Sequence, residues 1–494
     1  MPKLLIILFL LFMLPYPAES QILPKEGIVL HYRIIGFSIA PVLQSGNYKI
    51  EIAAGNYYSE DSFKKNIIQS HTSKNNKIIA EVPSFGSQYT WRMVAEKGNS
   101  LNGEFHHFST GMIPFADTNN VRFRITQPAV KYKDAYVFLD GNRTLYDMNG
   151  RPVWYLPDLN GINDGNGVLC DMKLSASGTI TFLLNTQAYE INYNGDILWK
   201  GPNTGEVSGD SVEHYHHEFT KLTNGHYMVM GSELTTLDPV PAGDKTTQGF
   251  AQKLPLGTII EYDKKGNVVW SWKSAPYFRG SDIRNYRRPN MDVTIKIIVD
   301  PHENGFFFDE KDHNIYISCK NISRVLKVKY PEGKVINSYG ETYKPGVKAQ
   351  DNGLFCHQHS CRHSQKGYLF LFNNNTCLLK PNAPKITMMQ EPLTEKDHLK
   401  KIWEYDFAAE GNYPPEMSGG GNVTELPDQS IFVCMGNQYS ATMIISMDKK
   451  ILWSGLPERW KPEENRWEKA PQYHASIIAS RKELEQLIWN TESK

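Results

Sequence analysis

The sequence predicts an all-β protein, a six-bladed β-propeller preceded by a small N-terminal β-sandwich, on three observations. A strand–turn–strand unit that mostly ends in tryptophan recurs between residues 121 and 455. Interleaved with it is a second unit, in which a histidine precedes a polar turn and an apolar strand. Residues 22 to 112 show short alternating strands and neither repeat. Composition agrees: 37 Gly, 28 Pro and 12% aromatic residues suit a turn-rich β chain, and 494 residues with 40% apolar content can bury more than one core. The 53 basic residues balance the 53 acidic ones. That leaves no electrostatic footprint for nucleic acid or an acidic membrane, and points to small-molecule partners.

The chain begins with Lys3, an apolar run from Leu4 to Leu14, then Pro15, Pro17 and the small residues of Ala18-Glu19-Ser20. This predicts a signal peptide over 1–20 with cleavage before Gln21. The run is too short to cross ~30 Å of hydrocarbon, so an exported protein, periplasmic or secreted, is expected. Residues 21–112 are assigned to the sandwich through Ile28–Tyr32, Tyr48–Ile52, Lys77–Val82 and Tyr89–Val94. No chemistry is visible in them.

Residues 113–494 are assigned to the propeller. Its hairpins are expected at Leu145–Trp154, Glu190–Trp199, Ile260–Trp270, Lys327–Asn337, Ile386–Trp403 and Ile444–Trp453. Six hairpins, each completed by two further strands, give six four-stranded units that stack radially. Long inserts interrupt the third unit at about 232–256 and 273–293, the second carrying Arg279, Arg284, Arg287 and Arg288 beside Tyr277 and Tyr286.

The other repeat carries the chemistry. His216-His217-Glu218-Phe219, Pro301-His302-Glu303-Asn304 and Cys356-His357-Gln358-His359 each lead through a polar turn into an apolar strand. The first strand of a propeller blade lines the central channel, so His217, His302 and His359 are expected on strands that converge on the axis. Alternation along a strand leaves open which of His214, His216 and His357 also face inward. Export makes disulfides admissible, and the spacing of Cys356 and Cys361 suits a small loop, so a bridge between them is expected. Cys170, Cys319, Cys377 and Cys434 lie in or beside apolar runs and look like buried thiols.

These segments, with Leu222-Thr223-Asn224-Gly225 after the first, Ile317-Ser318-Cys319-Lys320 after the second and Leu371-Phe372-Asn373-Asn374 after the third, resemble the bacterial arylsulfate sulfotransferases. The resemblance spans most of 121–455. It implies ping-pong transfer of a sulfuryl group from a phenolic sulfate ester to a phenol, without a nucleotide donor or any other cofactor. Carried over by position, it makes His359 the nucleophile that becomes transiently sulfated, with His217 and His302 as the other two histidines. Lys320 stands where the family has an arginine. Lysine keeps the charge but lacks the bidentate fork that suits a tetrahedral oxyanion. The resemblance and the additional N-terminal domain also allow a homodimer.

The residue types fit that chemistry. A neutral imidazole can attack sulfur. Lys320, His217 and the Asn304 amide are groups that stabilise negative charge on peripheral oxygens, and His302 could exchange protons with the phenol. Two other classes remain. Three histidines could bind a divalent metal in a hydrolase or lyase, although Glu213, Glu218 and Asp300 are not repeated as further ligands, and no metal site is assigned. Alternatively, the chain is a non-catalytic exported binding propeller in which Lys320 records lost catalysis.

Overall fold

A computed structural model describes residues 22–41, 46–95, 103–113, 119–163, 166–236, 253–278, 300–340, 353–377, 383–394, 397–410, 419–437 and 439–490. The expected signal peptide, most of the two inserts and the four arginines of the second insert lie outside them. The chain divides into two compact units, Met1–Gly111 and Met112–Lys494.

In the first unit the four expected strands appear as Ile28–Leu30, Tyr48–Ala54, Lys77–Glu81 and Gln88–Ala95. Ile34–Ser38, Ile67–Ser73, His106–Thr110 and a short helix, Glu60–Lys65, join them. A five-stranded sheet holds Trp91 and Phe108, and a two-stranded sheet of Ile34–Ser38 and Lys77–Glu81 holds Phe37. The Phe37 ring lies 5.1 Å from Trp91 and 5.9 Å from Phe108, so the apolar faces of the two sheets share a core.

Among its described residues the second unit is all-β apart from short helical turns and a C-terminal helix, Arg481–Trp489. Six antiparallel sheets follow one another along the chain. Sheet two is Leu169–Leu174, Ile180–Leu184, Gln187–Ile191 and Ile197–Lys200. Sheet three is Phe219–Lys221, Tyr227–Thr235, Leu254–Tyr262 and Val268–Lys273. Sheet four is Glu303–Asp309, Asn314–Cys319, Arg324–Lys329 and Lys334–Gly340, and sheet five is His359–His363, Leu369–Asn373, Lys385–Gln390 and Lys400–Asp406. Sheet six opens with Asn422–Glu425, Ile431–Cys434 and Thr442–Ile445. Its long strand Ile451–Lys461 also pairs with Val121–Gln127 and Arg466–Lys469. Sheet one has only three strands of its own, Tyr136–Leu139, Thr144–Asp147 and Pro152–Tyr155; the fourth, Ala475–Ile478, comes from the far end of the chain.

All six expected hairpins pair, each with a register shift near its turn. Gly150 shows why one turn residue is glycine: at φ 79° an added Cβ would lie 2.0 Å from the Phe123 carbonyl. The recurring tryptophans do more than pack. Trp154 donates its indole N–H to Tyr193 in sheet two, Trp270 to Pro331 in sheet four, Trp403 to Met447 in sheet six, and Trp453 to Met148 back in sheet one. Each therefore ties its sheet to the turn region of the next hairpin. In sheet two, Trp199 instead stacks 3.9 Å from Tyr227 of sheet three.

Candidate active site

Two of the three histidines, His217 and His302, lie just ahead of their strands and not on them as expected, whereas His359 lies on its strand. His217 stands two residues before Phe219–Lys221, His302 directly before Glu303–Asp309, and His359 is the first residue of His359–His363. His217 and His302 have φ 62° and 53°, left-handed backbone conformations that few non-glycine residues occupy and that cluster at functional sites. At His217 the cause is visible. Glu218 N–H donates to the His216 carbonyl at 2.7 Å, closing a three-residue turn, and both its ends are bonded to Met230.

The structure brings these side chains together. The His217 and His302 rings stand perpendicular with centroids 5.2 Å apart, and Tyr473 lies 5.8 Å from His217 and 6.3 Å from His359. Burial pushes the pKa of His359 well below the imidazole range, and the Lys320 charge pushes it further. Burial does the same to His217, reinforced by His216, His302, His474 and Lys320. Both imidazoles are therefore neutral at physiological pH. His359 is 1% exposed, whereas the His302 side chain is 36% exposed, with Asp300 Oδ1 4.0 Å from its Nδ1. The Lys320 amide donates to the His302 carbonyl at 2.9 Å, which fixes the lysine's backbone beside the cluster.

Asn374 determines the tautomer of His359. Its amide nitrogen lies 2.7 Å from the His357 carbonyl, which can only accept, and 2.6 Å from His359 Nδ1. The atom must be the nitrogen, so it donates to the imidazole as well. His359 Nδ1 is then an acceptor, and the neutral ring carries its proton on Nε2. Any bond formed at Nε2 would therefore need a base to take that proton, a requirement that the residue types alone did not reveal.

The remaining expected residues are placed as follows. Asn304 is 1% exposed and donates to the Gln358 carbonyl at 2.9 Å, so it braces the segment carrying His359. His216 belongs to the cluster, His357 bonds Thr376 at 2.7 Å, and His214 bonds Asp210 on an exposed turn. The expected Cys356–Cys361 bridge is corrected: Cys356 pairs with Cys377, and Cys361 is a free buried thiol beside the Tyr316 carbonyl. The hairpin from His359 to Asn373 returns the chain antiparallel, and Asn375 N–H bonds the Cys356 carbonyl at 3.1 Å, so Cys377 arrives opposite Cys356. Cys170, Cys319 and Cys434 are buried free thiols as expected.

Several residues escaped the sequence reading. Tyr473 and His474 stand immediately before Ala475–Ile478, as His302 stands before Glu303. Recognising that C-terminal segment as the missing strand of the first unit would have found them. Burial holds His474 at about 3, although the charge of Glu218 opposes the shift. Glu218 itself accepts from Lys173 at 2.6 Å and from Arg362 at 3.1 Å, linking sheets two, three and five directly beside His217. Burial alone would raise its pKa, but Arg362 and Lys173 bring it to about 2. Among the described residues no group of three or more His, Cys, Asp or Glu is arranged to hold a metal ion.

The pattern of the Arylsulfotransferase (ASST) family matches residues 139–449. The chain belongs to the arylsulfotransferase family. His217, His302, Lys320 and His359 all lie within the arylsulfotransferase match, whereas Tyr473 and His474 fall beyond it. No curated protein matches the chain. Solved structures match at low identity. A Bacteroides caccae protein of unknown function is 12% identical over 72% of this chain and 99% of its own, with TM-score 0.41. A putative 6-phosphogluconolactonase of Bacteroides fragilis is 12% identical over 89% and 99%, with TM-score 0.27. A rhamnogalacturonan lyase of Bacillus licheniformis is 9% identical over 92% and 83%, with TM-score 0.27.

Proposed function

We propose that this arylsulfotransferase is exported and moves a sulfuryl group from a phenolic sulfate ester to a phenol in two half-reactions, through a sulfohistidine at His359. The six sheets form the blades of a propeller, and the histidines meet where the blades' first strands begin. The observation that carries this reading is the crowding of His302 and Lys320 with His217 and His359, whose imidazoles burial keeps neutral. A neutral imidazole is a competent nucleophile, and a fixed cation beside it offsets charge building on the sulfuryl oxygens. His302 and Lys320, more open than His359, flank the approach to it.

In the first half-reaction a bond forms between His359 nitrogen and sulfur while the bond from sulfur to the aryl oxygen breaks. The departing phenolate takes a proton delivered through His302, and the second half-reaction runs the same steps backward with an acceptor phenol. The disulfide between Cys356 and Cys377 closes the segment that carries His359 and suits an oxidising compartment.

The test is intact mass after brief exposure to 4-nitrophenyl sulfate without acceptor. The expected result is one added sulfuryl group, mapped to the peptide holding His359 and discharged by phenol. His359→Ala should neither gain the mass nor release nitrophenol. An adduct on another residue, or none with several aryl sulfates, overturns the assignment.

A further inference from the structure

We propose that His216 is a positioning residue that locks His217 in its Nδ1–H tautomer, making His217 Nε2 the proton acceptor of the cluster. The inference begins at a backbone carbonyl. Gly231 O lies 3.1 Å from His216 Nε2 and can only accept, so that nitrogen carries a proton. Burial lowers the His216 pKa to about 4, partly offset by that same bond, so the ring is neutral and its Nδ1 holds a lone pair. His216 Nδ1 lies 2.5 Å from His217 Nδ1. One of the two must donate, and only His217 can. Because His217 is neutral as well, its Nε2 is left with the lone pair.

The backbone keeps this chain of contacts in place. The tight turn closed by Glu218 N–H onto His216 O sets φ 62° at His217 and stands the two rings at 86° with centroids 4.7 Å apart. His216 N–H donates to Met230 O at 3.0 Å, which holds the ring opposite Gly231. Glu218, clamped by Lys173 and Arg362, anchors the other end.

His359 and His217 thus carry opposite polarity. His359 presents a proton on Nε2 because Asn374 occupies its Nδ1, and His217 presents a lone pair on Nε2 because His216 occupies its Nδ1. This rests on the sulfuryl-transfer reading above and supplies the base that reading lacked. As the nitrogen–sulfur bond forms, the His359 Nε2 proton passes to His217 Nε2. The electron pair of the broken sulfur–oxygen bond leaves on the phenolate. His302, perpendicular to His217 at 5.2 Å, relays one proton from His217 to that oxygen. The net change is one proton moved from His359 to the released phenol.

The test is a long-range nitrogen–proton correlation spectrum of the full chain labelled with 15N-histidine, with His217 assigned by its absence in His217→Gln. The expected spectrum shows His217 protonated at Nδ1 and bare at Nε2. A wild-type His217 protonated at Nε2 overturns the proposal, with no variant at position 216 needed. In His216→Phe, which fills the ring space without a lone pair, the Nδ1–H preference is lost and kcat falls about 100-fold at nearly constant KM. His216→Asn, whose side-chain oxygen occupies the place of Nδ1, restores both. Equal kcat in His216→Phe and wild type would also overturn it. A correct tautomer with no sulfuryl transfer to any phenol would sink the proposed function and leave the tautomer assignment standing.

Discussion

Tyr473 carries a phenolic hydroxyl that is buried and makes no hydrogen bond among the described residues, while its ring packs against His217 and His359. Burial pushes its pKa well above the phenolic range, so it keeps its proton and can donate a hydrogen bond. A buried, unpaired hydroxyl costs about 1–3 kcal/mol, which Tyr473→Phe should return or leave neutral in stability. If the hydroxyl serves a sulfuryl oxygen, the same change removes a bond to a charged group and lowers kcat about 10- to 100-fold. Thermal denaturation and initial rates with an aryl sulfate check both, and an unchanged kcat would place the hydroxyl outside the reaction. His217, His302 and His359 were legible in the sequence because each precedes a polar turn and an apolar strand in a recurring segment. The tautomers were not, since they depend on the Asn374 amide and the Gly231 carbonyl, which approach only in the folded chain.

Between sheets four and five, His363 donates to Asp309 at 2.9 Å and to Glu391 at 3.1 Å. Glu391 also accepts from Lys327, Tyr316 and Tyr339. Burial opposes protonation of His363, but the two carboxylates outweigh it and the pKa ends raised. Its contribution to stability is full below the unfolded imidazole value of about 6.5 and is lost as pH rises through the folded value. Burial would raise Glu391, yet its partners hold it at about 2, so its contribution is present above the unfolded value and disappears as pH falls toward 2. The lock is therefore strongest between about pH 4.5 and 6.5. The melting-temperature advantage of wild type over His363→Gln should peak there and shrink toward pH 9; a flat difference would mean that His363 is neutral throughout. The hairpins flanking this lock were legible from turn chemistry, but His363 was not. It lies on the strand led by His359, while Asp309 ends the first strand of sheet four and Glu391 follows the third strand of sheet five, and no local pattern joins them.

At the scale of the whole second unit, the count of six sheets was legible and their connection was not. Ala475-Ser476-Ile477-Ile478 has no hairpin of its own, so nothing in its pattern shows that it completes sheet one beside Tyr136–Leu139. Trp453 reinforces the same junction. Its buried indole donates to the Met148 carbonyl at 3.0 Å, joining sheets six and one, whereas Trp403 makes the equivalent bond to Met447 in an exposed setting. A carbonyl stripped of its partner in a buried site cannot recover water, and an exposed one can. Trp453→Phe should therefore destabilise the protein by about 1–3 kcal/mol in urea titration, and Trp403→Phe by under about 1 kcal/mol. In the proposed ring no blade is terminal, so the loss at this junction should lower a single cooperative transition. Separate melting of sheet six would mean that the blades do not close on one another.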